Sequence, residues 1–181
     1  MKLRLLLVAL CAVLAMFTGA CSSPDSPKAK PTATATPSQS QAPKMPDSAR
    51  EFTEEGAEAF VRHYIDVLNA THDSGDTDAL LALSTKACGN CNNFAETIGF
   101  VKTAGGHYDG GRWQVEPFKI VLGYDKTNVS TKYKVTKGSA TKSPSAAPTS
   151  FTEVSGELHF ELLYQAKKKS WFVNEIGTSV S

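Results

Sequence analysis

The sequence has almost no net charge and only one dense cluster of basic residues. Its 19 Lys and Arg residues nearly balance its 18 Asp and Glu residues, so the formal net charge is +1. The basic excess lies in residues 1–50, whereas residues 51–181 carry a net charge of −3. The consecutive lysines at 167–169 are typical of a solvated turn. Because binding to nucleic-acid phosphates requires a basic face, the sequence predicts no nucleic-acid partner.

An apolar run long enough to span a membrane is also lacking. Residues 5–17 form an uninterrupted apolar run of thirteen residues, whereas a membrane-spanning helix needs about twenty. Thirteen residues suit the apolar core of a secretory signal peptide, and two basic residues, Lys2 and Arg4, precede the run. The sequence therefore predicts that residues 1–20 are a signal peptide, removed on export.

The end of this signal favours a lipid anchor. The small residues Gly19 and Ala20 stand directly before Cys21, a pattern that resembles the bacterial lipobox, although that pattern prefers leucine where this chain has Thr18. A diacylglyceryl group on the Cys21 thiol would hold the mature chain on the extracytoplasmic face of the cell membrane. The membrane is thus a predicted partner. Cleavage after Ala20 without lipidation is the alternative.

Large apolar side chains are scarce in two segments. Residues 21–50 consist mostly of Ser, Pro, Ala, Thr, Gln and Lys. Such a segment cannot bury enough surface to offset its ordering entropy, so we expect a disordered tether that spans roughly 30 Å. Residues 137–150 are similarly rich in small residues and predict a mobile loop between strands. Residues 51–181 are left as one folded domain.

Cysteine is limited to four positions. Cys11 lies inside the signal and Cys21 at its end, which leaves Cys88 and Cys91 as a pair in the exported domain. In an oxidising compartment such a pair predicts a disulfide. We interpret it as a structural link, since no βαβ unit of the thioredoxin type surrounds it. Thiol–disulfide exchange by the same pair is the alternative.

Three segments show helical periodicity, and the first is the clearest. Its apolar residues recur with a period near 3.6 between Ala57 and Leu68, with Thr53 as a candidate N-cap and Gly75 at the stop. A short leucine-rich helix follows, capped by Asp76 or Thr77. A third helix is predicted over about residues 93–103, ended by paired glycines.

Beyond residue 112 the apolar period changes to two, which predicts strands. The alternating segments are residues 118–124, 129–136, 154–164 and a last strand at 171–176. The alternation changes phase at Pro117, which predicts a bulge or an edge strand there. Helices followed by an antiparallel meander predict an α+β fold, with the helices packed on one face of the sheet.

Two segments, residues 64–70 and 75–83, resemble the nuclear-transport-factor-two-like (SnoaL-like) superfamily. More narrowly, the Cys-x-x-Cys after the short helix resembles an uncharacterised family of actinobacterial lipoproteins with this domain. The resemblance covers about residues 52–176 and implies a curved sheet wrapped around a long helix, forming a cone with an apolar pocket. The aromatic residues expected to line that pocket are Phe60, Tyr64, Trp113, Tyr133, Phe160 and Trp171.

The superfamily includes ketosteroid isomerase, which uses a tyrosine and a carboxylate base. Tyr64 matches the position of that tyrosine, but the stretch expected to carry the base, residues 85–93, has no carboxylate. The chain also lacks phosphate-loop and nucleophile motifs, and its histidines are scattered. We therefore expect a non-catalytic domain without a cofactor or metal, which binds a small apolar ligand, a lipid or an envelope protein. The alternative is an isomerase or cyclase that pairs Tyr64 with Asp109 or Glu116.

Overall fold

The computed structural model describes residues 42–180, and its longest helix is α1 (Glu54–Ser74). The predicted cap is confirmed, because the Thr53 hydroxyl accepts a hydrogen bond from the Gly56 amide at 2.9 Å. Two glutamates in the first turn complement the helix dipole. The helix ends as predicted at Gly75, whose φ of 77° is a left-handed conformation that glycine adopts without strain.

Two shorter helices follow, α2 (Thr77–Leu81) and α3 (Gly89–Thr103). The Asp76 carboxylate caps α2 by accepting from the Asp78 amide at 3.2 Å. Helix α3 begins four residues before the predicted start at residue 93. The reason is an uncommon cap, since the Cys88 sulfur accepts a hydrogen bond from the Cys91 amide at 3.3 Å.

Seven strands form two antiparallel sheets. The main sheet has the order β2-β3-β6-β7, and a smaller sheet has the order β1-β4-β5. Their bounds are β1 His107–Gly110, β2 Trp113–Val121, β3 Thr127–Val135, β4 Gly138–Thr141, β5 Thr149–Phe151, β6 Val154–Gln165 and β7 Ser170–Val180. The four main strands correspond to those predicted from the alternating pattern.

The core lies between α1 and one face of the main sheet. Its buried side chains include Phe60, Val61, Tyr64 and Leu68 from α1, and Val129, Leu158, Phe160, Leu162, Val173 and Ile176 from the strands. The register of β2 shifts between Val115 and Phe118, at the cis Glu116–Pro117 peptide, so the predicted irregularity is confirmed. A second shift lies beside Glu161 in β6. Bulges bend strands, and the predicted α+β class, with helices on a curved antiparallel sheet, is confirmed.

The segment at residues 137–150, predicted as a mobile loop, contains strand β4 and the start of β5. Its small residues lack the alternation that marks a half-buried strand, but ladder hydrogen bonds are made by the backbone and do not require it. Gly138 in β4 also suits its place, because a Cβ atom there would collide with the Asp109 carbonyl in β1. Residues 138–141 and 149–150 therefore belong to strands and not to the predicted mobile loop.

The tether was predicted to continue to residue 50, but the folded domain begins earlier. A 3-10 turn covers Asp47–Arg50, Ala49 is only 1% exposed, and Met45 packs against the core. The turn is held because the Tyr164 hydroxyl donates to the Arg50 carbonyl at 2.8 Å. The predicted signal peptide, Cys21 and the rest of the predicted tether lie outside the described residues. Within the described part of the chain, no helix is both long and apolar enough to cross a membrane.

Candidate functional site

The aromatic residues predicted to line a pocket mostly fill the core. Exposed fractions of 0–1% belong to Phe60, Tyr64, Phe160 and Trp171. Because α1 packs directly on the sheet, no surface of these four side chains is left for a ligand, and their predicted role as pocket lining was wrong. Tyr133 is also buried, and only Trp113 is half-buried.

Tyr64 is sealed within the core. Its ring packs edge-on against Phe160, with centroids 5.8 Å apart. Burial raises the pKa of Tyr64 to about 12, against a smaller opposing effect of the nearby Ser84 hydroxyl. Neither hydroxyl makes a hydrogen bond of acceptable geometry. The phenol therefore stays protonated at neutral pH, and its side chain has no surface exposed to solvent.

The two carboxylates considered as partners of Tyr64 lie on the surface. Asp109 is exposed and pairs with His107 at 3.3 Å, and Glu116 is exposed and pairs with Arg62 at 3.4 Å. Surface pairs of this kind contribute little to stability and do not constrain a reacting group. The structure does not bring either carboxylate together with the buried Tyr64 hydroxyl.

A second aromatic group joins α3 to strands β2 and β3. Trp113 packs between Tyr133, at 5.1 Å between ring centroids, and Phe94 of α3, at 5.8 Å. Tyr133 in turn covers Gly156 on the neighbouring strand, where a Cβ atom would lie 2.9 Å from its ring. We call Phe94, Trp113 and Tyr133 the aromatic trio.

Asn69 fixes the position of Trp113 on the edge strand β2. Its side-chain amide donates to the Trp113 carbonyl at 3.0 Å, and its side-chain oxygen accepts from the Trp113 amide at 2.9 Å. The carboxamide thus makes the two hydrogen bonds that a neighbouring strand would make. This contact ties the trio to α1.

A cavity of about 230 Å³ lies between α3 and β7, beside the aromatic trio. It is lined by Asn90, Asn93, Phe94, Thr97, Ile176 and Thr178. The Asn90 side chain donates to the Ile176 carbonyl at 2.7 Å, which joins the two walls. We call this site the α3–β7 cavity. Its lining combines amide and hydroxyl groups with two apolar side chains and contains no titratable group.

The sequence did not predict this cavity. Helix α3 was predicted to begin at residue 93, so Asn90 fell outside the predicted helix, and Phe94 was not singled out as a site residue. The one sequence signal was the concentration of asparagines at residues 90, 92 and 93, which are uncommon inside helices. Such residues at the start of a helix are equally typical of a surface turn.

The predicted disulfide between Cys88 and Cys91 is confirmed, with Cα atoms 5.3 Å apart. Both residues are fully buried, so an attacking thiolate cannot reach either sulfur in the folded protein. Within residues 42–180, no three His, Cys, Asp or Glu side chains converge in a way that could hold a metal ion.

Comparison with solved structures supports the fold. The intermembrane space region of the chloroplast protein ARC6 is 10% identical, with a TM-score of 0.51 over 71% of this chain and 98% of that one. The Kfla4162 protein of Kribbella flavida is 11% identical, with a TM-score of 0.48 over 71% and 93%. A Nostoc punctiforme protein described as having a cystatin-like fold is 10% identical, with a TM-score of 0.43 over 68% and 90%. The likeness to the ARC6 region indicates a shared fold and nothing about activity.

Comparison with sequences identifies the family. No curated protein matches the chain. One family model matches residues 29–176, which include nearly all of the folded domain and part of the predicted tether. The chain therefore belongs to the family described as a family of unknown function, DUF6318.

Proposed function

We propose that this chain is a lipid-anchored lipoprotein of the extracytoplasmic membrane face, and that its domain is a non-catalytic binding module. The α3–β7 cavity is the proposed binding site. One observation carries the proposal: the space beside the aromatic trio is lined by neutral side chains, while the interior around Tyr64 is filled. A neutral lining supplies recognition groups but no acid, base or nucleophile.

The chemistry of the lining defines the class of ligand. Asn93 and Thr97 offer polar groups on the α3 wall, and Phe94 and Ile176 offer apolar contact. A volume of about 230 Å³ is below the usual range of ligand pockets, roughly 300–1,000 Å³. The site therefore suits a small neutral ligand with an apolar part, such as an aromatic ring that carries one hydroxyl.

The test uses Thr178 and Ser179, which are neighbours on β7 with side chains on opposite faces of the sheet. Thr178 lines the cavity, whereas Ser179 does not. Phenol, p-cresol and indole would be titrated into the mature protein while the side-chain amide signals of Asn90 and Asn93 are followed by NMR. Thr178→Phe should weaken binding at least tenfold by filling the cavity, and Ser179→Phe should leave it unchanged.

Two results would reject the binding site. The first is that none of the three probes shifts the Asn90, Asn93 or Trp113 signals at millimolar concentration. The second is that Thr178→Phe and Ser179→Phe alter binding equally, which would place the probes elsewhere.

The anchor is supported by the apolar run at residues 5–17 and the small residues before Cys21. Its test is the intact mass of the mature protein from the bacterial membrane. We expect a chain that begins at Cys21 and carries acyl groups, and a Cys21→Ala variant that leaves the membrane fraction. An unmodified Cys21 at the N-terminus would reject the anchor.

A further inference from the structure

Two hairpin turns at one end of the main sheet expose apolar and basic side chains together. The β2–β3 turn, residues 122–126, presents Tyr124 at 92% exposed and Leu122 at 36%. The β6–β7 turn, residues 166–169, presents three consecutive exposed lysines. Exposed apolar side chains that cluster beside polar or charged groups, unlike those that lie singly, are typical of surfaces that meet a partner. We call these two turns the tether end of the domain.

The exposed ring of Tyr124 rests on an aromatic base. Phe52 lies 5.5 Å from Tyr124, 5.1 Å from Tyr164 and 5.4 Å from Trp171, measured between ring centroids. Trp171 is fully buried in the core. Phe52 therefore contacts both the buried Trp171 and the exposed Tyr124, so a continuous series of aromatic contacts leads from the core to the surface.

The chain enters the domain at this same end. The Arg50 carbonyl accepts from the Tyr164 hydroxyl at 2.8 Å, and the Glu51 carbonyl accepts from the Trp171 indole at 3.0 Å. About 24 residues separate Cys21 from Met45, and the disordered tether expected from their composition would span roughly 25–30 Å. A tether of that length gives an effective concentration near the millimolar range, so even a weak surface affinity suffices for contact.

We propose that the tether end docks on the lipid bilayer that holds the anchor, an inference that rests on the proposed lipidation of Cys21. Tyr124 and Leu122 enter the headgroup region, where tyrosine is favoured because one edge of its ring is apolar and the other polar. The three lysines lie against anionic headgroups with their aliphatic stems on the apolar boundary.

The charges at this end favour a shallow, reversible contact. Glu161 pairs with Lys126 at 2.7 Å and cancels its charge. Asp125 and Glu51 are exposed near the same turns and oppose attraction to anionic lipid. The lysines at 167–169 therefore act together with the apolar side chains, and neither group is sufficient alone.

The experiment places a fluorophore at the tether end and another at a distant control. Asp125→Cys and Phe100→Cys would each be labelled with bimane on the lipidated protein. The other cysteines of the mature chain do not react, because the Cys21 sulfur is in a thioether to the lipid and Cys88 and Cys91 form the disulfide. Phe100 suits the control because it is 70% exposed and far from the tether end. Lys102, two residues later in α3, donates a hydrogen bond to the Asp73 carbonyl near the end of α1. The start of α1, at the tether end, is about 30 Å away along that helix. Vesicles would contain phosphatidylglycerol, phosphatidylcholine and a brominated lipid.

We expect bromine to quench the label at residue 125 at least twofold more than the label at residue 100. Combining Asp125→Cys with Tyr124→Ser, or with Lys167→Gln, Lys168→Gln and Lys169→Gln, should reduce quenching to the control level. Equal quenching at both sites in protein that floats with the vesicles would overturn the docking proposal and leave the anchor intact. Failure of the unsubstituted protein to float would overturn the anchor and the docking with it.

Discussion

At the scale of single residues, Gly156 shows how closely the main sheet is packed. A Cβ atom there would collide with the Ser179 carbonyl and lie 2.9 Å from the Tyr133 ring. Gly156→Ala should therefore lower the free energy of unfolding by about 1–3 kcal/mol, measured by urea denaturation. Gly177→Ala is the matched control on the adjacent strand, because its Cβ would meet no atom within 4 Å. Equal losses in the two variants would contradict this account.

The buried hydroxyl of Tyr64 gives a second prediction. Since this hydroxyl has no hydrogen-bond partner of good geometry, Tyr64→Phe should leave the free energy of unfolding unchanged or raise it by up to about 1 kcal/mol. Tyr64→Ala should lower it by about 3–5 kcal/mol, because a cavity replaces the ring. A loss of more than about 1 kcal/mol in Tyr64→Phe would instead indicate a hydrogen bond with Ser84.

The raised pKa of Tyr64 also predicts a dependence on pH. The pKa is about 12 in the folded protein and about 10 in an unfolded chain, so between these values only the folded chain keeps the proton. The stabilisation is fully present below pH 10 and is lost as the pH rises towards 12, by up to about 3 kcal/mol. Unfolding measured from pH 9 to 11.5 should show a smaller decline in Tyr64→Phe than in the parent protein.

At the scale of elements, the disulfide and the start of α3 form one unit. Cys88 is both the N-cap of α3 and a partner in the bridge. Replacing Cys88 and Cys91 together by alanine should lower the free energy of unfolding by about 2 kcal/mol for the loop constraint and about 1 kcal/mol for the cap. Because both residues are buried, dithiothreitol without denaturant should leave the bridge intact. Rapid reduction of the native protein would favour the thiol-exchange alternative.

The elements predicted correctly from sequence are those whose signal is local. Thr53, Gly75 and Asp76 mark helix ends by their own side-chain or backbone chemistry, and the main strands alternate in polarity. The start of α3 was missed because a cysteine rarely caps a helix. The smaller sheet was missed because His107–Gly110 and Gly138–Thr141 pair through the backbone and show no alternation.

The candidate site was predicted less well than the fold, for a physical reason. Periodicity shows which face of an element is buried, and it correctly placed Phe60, Tyr64 and Phe160 on inner faces. It does not show whether the facing side chains leave space between them. The space between facing side chains depends on how closely α1 approaches the sheet. Here α1 lies close enough for the side chains to fill the interior, and the α3–β7 cavity lies outside this filled region.

At the scale of the whole molecule, the domain is expected to need the residues that precede α1. Met45 and Ala49 pack against the core before the helix begins. A chain that starts at Glu51 should therefore unfold with a free energy lower by about 2 kcal/mol or more than a chain that starts at Ala42. A chain that starts at Ser22 serves as the control, and its free energy of unfolding should equal that of the chain that starts at Ala42. Equal stability of all three would show that this segment contributes no packing energy.

The side chain of Asn69 has a consequence for contacts between copies of this chain. Exposed strand edges offer unpaired backbone groups to other copies and promote aggregation. On the edge strand β2, the Asn69 side chain bonds both backbone groups of Trp113. On the opposite edge strand β7, the Leu83 carbonyl and the Thr85 amide bond the backbone of Val173. The Asn90 side chain bonds the Ile176 carbonyl on the same strand. At Trp113 and Val173 a neighbouring copy finds both backbone groups already paired. If the proposed anchor gathers many copies on one membrane, these contacts oppose edge-to-edge pairing between them.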